Sequence, residues 1–265
     1  MIFERIRTLF ANEHSDREIS ARSRDVLKQK YSVIYAIGDV HGRLDLLRQL
    51  EAKIVAHEAN TGGPKLIVQL GDMIDRGPHS AQVIDHMLSR TPEGWSRLAL
   101  AGNHETTLCD AMSNSTIFER WLGFGGMETL GSYGIGQREI QSAIGNPRRI
   151  ADLVQASFPP EHIKFLFALP LSISVGHAVF MHAGGRPGVS PDAQEEKDIL
   201  WYTGERDDTR SDGALVVHGH EIVPEPEIYS GRINVDTGAY RTGILSAVRL
   251  ASDAPPRVLN TSTDV

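Results

Sequence analysis

Tyr31-Ser32-Val33-Ile34-Tyr35-Ala36-Ile37-Gly38-Asp39-Val40-His41-Gly42 reads as an apolar strand that ends abruptly in a tight polar turn. Its β-branched and aromatic residues suit an extended, buried backbone. Gly38 and Gly42 free the chain to turn sharply. Asp39 and His41, two residues apart, share one face if the segment is extended. The pattern then recurs. Leu66-Ile67-Val68-Gln69-Leu70 runs into Gly71-Asp72-Met73-Ile74-Asp75-Arg76-Gly77, and Leu98-Ala99-Leu100-Ala101 runs into Gly102-Asn103-His104-Glu105. Between these strands, Leu44, Leu47, Leu50 and Ile54 recur at helical spacing, and Thr61-Gly62-Gly63-Pro64 forms a turn. Ser80 is placed as the N-cap of a helix through Leu88, and another helix starts at about Asn103. Strand–helix alternation of this kind predicts parallel βαβ units.

Outward from this stretch the pattern changes. Residues 113–170 predict a mostly helical insert, broken at Phe158-Pro159-Pro160. Ser172-Ile173-Ser174-Val175 and Ala178-Val179-Phe180-Met181 flank Gly176-His177 and predict a hairpin. Ala214–Val217, Arg232–Val235 and Gly243–Leu250 predict further strands, and residues 186–212 a long polar loop. Residues 1–30 read as a helical or loose lead-in, 31–252 as one catalytic domain, and 253–265 as a mobile tail.

Composition narrows the function classes. The chain has 265 residues, 40% of them hydrophobic and 23% charged, as in an ordinary globular domain. A net charge of −7 argues against a binder of duplex nucleic acid. No apolar run is long enough for a membrane span. Met1 to Phe10 is too interrupted by charge for a signal-peptide core, and reads as a surface helix or arm. Cys109 is the only cysteine, which excludes an intrachain disulfide and suits a reducing, cytoplasmic setting.

The polar clusters carry the chemistry. Asp39, His41, Asp72, Asn103, His182 and His220 all follow apolar runs, so the fold can gather them at strand ends. Carboxylate, amide and imidazole donors suit first-row divalent cations. Two such cations about 3.5–4 Å apart would share a bridging water and polarise a phosphoryl group. Any single cluster would more often be a solvated turn. The joint occurrence of five carries the reading.

Gly38-Asp39-Val40-His41-Gly42, Gly71–Gly77, Gly102–Glu105, His182-Ala183-Gly184-Gly185 and Gly219-His220 together resemble the calcineurin-like metallophosphoesterases, in the branch of the phosphoprotein and bacterial or phage serine/threonine phosphatases. Val235-Asp236-Thr237-Gly238 is similar to that family's closing turn. The resemblance spans about Val33 to Leu250. It implies an α/β fold, a β-sandwich with helices on both outer faces. It implies two divalent metal ions, Mn, Fe or Zn. One would be held by Asp39, His41 and a later histidine with Asp72 bridging, and the other by Asp72, Asn103, His182 and His220. Metal-bound hydroxide would attack a phosphomonoester in line. His104 would protonate the leaving oxygen, with Asp75 as its partner, and Arg76 would grip the phosphate.

One departure stands out. The family places a second phosphate-binding arginine just after the segment that reads Leu200-Trp201-Tyr202 here, and this chain has Thr203 there. Arg206 is the candidate replacement. The expected substrate is a phosphorylated protein, with a small phosphoester or nucleotide, a dinucleoside tetraphosphate cleaved symmetrically, as the alternative. His218 reads as structural and His79 as a loop residue near the mouth. Trp121, Phe124 and Tyr133 either wall a pocket or pack the insert.

Overall fold

The computed structural model describes residues 22–204, 212–252 and 254–262. Within them the strands form two stacked sheets. The first has the order β11-β10-β2-β3-β4, with β2 Val33–Ile37, β3 Lys65–Gln69, β4 Trp95–Ala99, β10 Ser246–Ala251 and β11 Ala254–Asn260. The β2–β3 and β3–β4 pairs are parallel, as the alternation predicted. Their crossovers are α1 Leu44–His57 and α2 Ser80–Leu88, and α3 Asn103–Ala111 follows β4. The second sheet runs β1-β5-β6-β7-β9-β8, with β1 Arg24–Leu27, β5 Ser172–Val175, β6 Ala178–Met181, β7 Leu215–His218, β8 Glu227–Ile228 and β9 Arg232–Asn234. The β5–β6 pair is the expected antiparallel hairpin.

Burial explains why β2 reads as an unbroken apolar run. Ile34 and Ala36 face inward and join Leu66, Val68, Ile173, Phe180, Val217 and Ile233 between the sheets. Val33, Tyr35 and Ile37 point the other way, into a core shared with α1, α2 and the helical insert. A strand covered on both faces has no polar side to show. On the far side of the second sheet, Val179, Met181 and Val216 pack on Ile199 and Leu200 of α9 (Glu196–Trp201). The result is a sandwich with helices outside both sheets.

The insert is helical, as α4 Ser115–Trp121, α5 Met127–Ser132, α6 Gln137–Ala143, α7 Pro147–Ser157 and α8 Pro160–Ala168. A π-helical stretch, Leu122–Gly126, joins α4 to α5, and Gly125 there takes φ 116°, which only glycine adopts without strain. A last short helix, α10, covers Ala239–Thr242.

Four expectations need correction. The stretch 186–212 is not all loop: it carries α9, Glu196–Trp201, too short for a periodic signal but anchored by buried Ile199 and Leu200. The lead-in is not loose over its last part: β1 pairs in parallel with β5, Arg24 opposite Ser172. Four residues are too few for a periodic signal, and the Arg24 guanidinium adds a tie to the Asp192 carbonyl at 2.7 Å. The tail is not mobile over residues 254–260, because β11 pairs antiparallel with β10, Ala247 opposite Leu259. Pro255 and Pro256 argued against a strand, but β11 lies at the sheet edge, where a missing N–H costs nothing. Ser80 is the first residue of α2 rather than its cap, which is His79. Its hydroxyl instead accepts the Asp75 N–H at 3.0 Å. The reading of residues 1–10 as a surface helix lies outside the described residues.

Candidate metal and phosphate site

Strand ends from both sheets converge on one cluster. β2 delivers Asp39 and His41, β3 delivers Asp72, Asp75 and Arg76, and Asn103 and His104 open α3 just beyond β4. From the second sheet, β6 delivers His182 and β7 delivers His220. Among the described residues five non-glycines have positive φ, and all five are here: His41 (45°), Asp72 (52°), Asp75 (71°), Arg76 (66°) and His220 (68°). Each costs on the order of 1–2 kcal/mol, so surrounding contacts must impose them.

Glu105 supplies much of that constraint. It is fully buried, and its two oxygens accept four backbone N–H groups: Gly102 (2.8 Å), Asp72 (2.9 Å), Met73 (2.7 Å) and Ile74 (3.2 Å). Burial and the nearby Asp72 carboxylate push its proton affinity up to about 8, and these backbone donors pull the other way. One side chain thus pins the Asp72 turn to the start of α3. At Gly102 no larger residue fits, because a Cβ would run into the Asp72 carboxylate.

The donor set suits cations. His41 Nδ1 donates to the Ile74 carbonyl (2.8 Å) and His182 Nδ1 to the Leu70 carbonyl (2.9 Å). Each ring therefore turns an Nε2 lone pair inward. These face the two oxygens of Asp72, His41 at 3.5 Å from Oδ2 and His182 at 3.4 Å from Oδ1. His182 Nε2 also lies 2.8 Å from Asn103 Oδ1 and 3.1 Å from His220 Nδ1. Acceptors that face acceptors need a positive charge between them. The Asn103 amide can relieve this by turning its NH2 inward, with contacts of 2.8–3.3 Å to His182, His220 and Asp72. A shared cation relieves it better.

Two donor groups stand out: His41, Asp72 and His104, and Asp72, His182 and His220, with Asp72 common to both. Asp39 accepts the His220 N–H at 3.1 Å. Its carboxyl is pushed well above the usual range by burial and by Asp236 and Asp72 beside it. Asp236, raised to about 6 mainly by burial, adds a third buried acid. Burial also holds His41 and His182 below their ordinary values, which keeps both rings neutral, the form that ligates a cation.

Beside the donors lies an acid–base pair. His104 Nδ1 meets Asp75 Oδ2 at 2.6 Å, and its Nε2 has no hydrogen-bond partner although fully buried. Asp75 also accepts Trp121 Nε1 (2.8 Å) and the Thr129 hydroxyl (2.6 Å). Burial lifts Asp75 to about 7 and lowers His104 to about 4. Both shifts express the cost of an isolated charge in a dry site, and an ion pair between the two relieves both costs. Phe124 closes the site, stacked on His104 at 4.0 Å and 6°.

At the mouth, Arg76 donates to His41 Nε2 at 3.1 Å. Its guanidinium lies between Tyr240 (4.7 Å) and Phe124 (5.8 Å). Trp201 stacks against Phe124 at 5.9 Å. Thr203 is exposed, and Arg206 lies outside the described residues. His218 is structural: Nδ1 donates to the Gly219 carbonyl (2.9 Å) and Nε2 accepts from buried Arg232 (2.8 Å). Tyr133 packs on Phe158 and bonds His162, away from the cluster, and His79 is exposed. Sequence reasoning assigned no role to Glu105, Asp236 or Thr129. The first two sit inside motifs already singled out, so their position was a signal. Tyr240 and Thr129 carried none.

Comparison with known proteins agrees with this geometry. The profile of the calcineurin-like phosphoesterases matches residues 32–240. The asymmetrical bis(5′-nucleosyl)-tetraphosphatase PrpE of Anoxybacillus flavithermus is 26% identical over 235 residues, 80% of this chain and 88% of that one. Serine/threonine-protein phosphatase 2 of Escherichia coli is 25% identical over 241 residues, 87% of this chain and 99% of that one. Among solved structures, a candidate diadenosine tetraphosphatase superposes with TM-score 0.58 at 18% identity, covering 90% of this chain and 98% of its own. A cold-active protein-tyrosine phosphatase from Shewanella gives 0.53 at 19%, covering 92% and 85%. With strand-end donors, an Asp72 common to both donor groups and a profile match over most of its length, the chain belongs to the calcineurin-like phosphoesterase family.

Proposed function

We propose that this hydrolase is a two-metal phosphomonoesterase of the serine/threonine protein phosphatase type. The observation that carries the reading is the ring of inward lone pairs around Asp72, with the unpartnered Nε2 of His104 only 3.8 Å from its Oδ2. Asp39, His41 and Asp72 would hold one cation, and Asp72, Asn103, His182 and His220 the other. Oxygen and imidazole donors without thiolate favour Mn, with Fe or Zn as alternatives. When bound, the two cations supply a water acidified toward neutral pH and draw charge from the phosphoryl group.

The chain's own residues do the rest. Arg76, whose planar guanidinium lies at the mouth between Tyr240 and Phe124, would present its fork to the phosphate oxygens. His104 gives a proton from Nε2 to the leaving alkoxide, which is too basic to depart alone. Asp75 orients the ring through Nδ1 and stabilises its charged form, while Trp121 and Thr129 hold Asp75. Phe124 keeps bulk water off His104. A buried, unpaired Cys109 is consistent with a cytoplasmic enzyme, and no helix among the described residues is long and apolar enough to cross a membrane.

A second reading, hydrolysis of a dinucleoside tetraphosphate, is favoured by the aromatic mouth of Phe124, Trp201 and Tyr240. A Mn-loaded panel of phosphothreonine peptide, propyl phosphate and diadenosine tetraphosphate separates the two. The first reading expects phosphate release from the peptide at a kcat/KM at least tenfold above that for the dinucleotide. The reverse order would replace it. Loss of all activity on chelation, restored by Mn, is expected under either.

A further inference from the structure

Trp201 is placed unlike the other two tryptophans. Trp95 and Trp121 are 8% and 0% exposed, whereas Trp201 is 46% exposed at the C-terminal end of α9. Its neighbours Ile199 and Leu200 are buried and fix the helix, so the indole is held at the surface rather than loose. The ring has two fixed contacts. One is Phe124, nearly parallel at 27° and 5.9 Å, itself stacked on His104. The other is the edge of His220 at 6.3 Å and 84°. The exposed indole therefore lies one ring away from the proton donor, through Phe124, and edge-on to a metal ligand.

We propose that Trp201, backed by Phe124, is a specificity-determining residue that stacks a flat aromatic group carried on the leaving side of the phosphoester. Aromatic rings pair at centroid distances of 4.5–7 Å. A ring stacked on Trp201 thus stays close to the reacting phosphate, on the side where His104 donates. The His104–Phe124–Trp201 stack already sets its orientation, so little order is lost on binding. Two sources present this chemistry, a nucleobase and an aromatic side chain at or beside the phosphorylated residue. The proposal rests on the phosphoesterase reading above for the position of the phosphate.

Calorimetric titration of the Mn-loaded protein with phenylphosphonate and propylphosphonate tests it without turnover. The wild type should prefer the phenyl compound. Trp201→Ala should cut that preference about tenfold, and Trp201→Phe should restore most of it. Equal weakening of both ligands, or an undiminished preference in Trp201→Ala, overturns the proposal. The non-hydrolysable phosphonate analogues of adenosine monophosphate and of a phosphotyrosine peptide, titrated alike, separate the sources. Weakening of the nucleotide alone marks a nucleobase, weakening of the peptide alone marks a side chain, and weakening of neither refutes the shelf. A protein that binds with this selectivity but hydrolyses no phosphoester refutes the proposed reaction and leaves the shelf standing.

Discussion

His104 and Asp75 show how much two side chains depend on their surroundings. Neither is favoured as a lone charge at its site, and each makes the other's charge tolerable. Asp75→Asn removes the anion and leaves the ring's geometry nearly intact. It should lower kcat about 100-fold with little change in KM, and His104→Ala should lower kcat by about 100- to 10,000-fold. Steady-state kinetics on propyl phosphate checks both, and a kcat within threefold of wild type for His104→Ala would remove it from the acid role. The ligand positions were legible in sequence because Asp39, His41, Asp72 and Asn103 each follow an apolar strand directly. The mouth was less legible. Trp201 ends a six-residue helix and Tyr240 lies in a four-residue one, where neither periodicity nor spacing says what a ring will face.

The turn after β3 and the start of α3 act as one unit through Glu105. A glutamine there offers one oxygen and sets an NH2 against backbone N–H groups that have nowhere else to donate. Glu105→Gln should therefore cost about 3 kcal/mol or more, read as a drop in urea midpoint, and should weaken Mn binding along with it. A stable variant with normal Mn affinity would mean that the strained turn holds itself. The alternation β2-α1-β3-α2-β4-α3 was plain in the sequence because an apolar run closed by a glycine marks the end of each strand, although β4 begins at Trp95, before the Leu98 read as its start, because Ser96 and Arg97 interrupt its apolar pattern. The edge elements were not. β1 is only four residues, three of them exposed, and β11 contains two prolines, so both borrow their conformation from the neighbour they pair with.

On the scale of the molecule, a polar knot ties the end of α1 to the adjacent strands β10 and β2. Glu58, at the end of α1, accepts from Arg249 of β10 (2.6 Å), Tyr35 of β2 (2.8 Å) and Thr61. These hydrogen bonds outweigh burial and hold the carboxyl at about 2, below its ordinary 4.5. The folded state prefers the ionised form, so this stabilisation is complete above pH 4.5 and is lost as pH falls toward 2. Glu58→Gln should be less stable than wild type at pH 7 by on the order of 2 kcal/mol. The gap should narrow on acidification below pH 4.5, and a gap that widens instead would reverse the sign of the linkage. Strand order has a further consequence, for synthesis. β2 has β10 as its neighbour, and β1 has β5. A ribosome that has made residues 1–170 has made Asp39, His41, Asp72, Asn103 and His104, but neither His182 nor His220. A series of stalled nascent chains should gain metal-dependent phosphoesterase activity only after β10 has cleared the exit tunnel. On that outcome the half-built chain would leave the phosphoesters around it untouched.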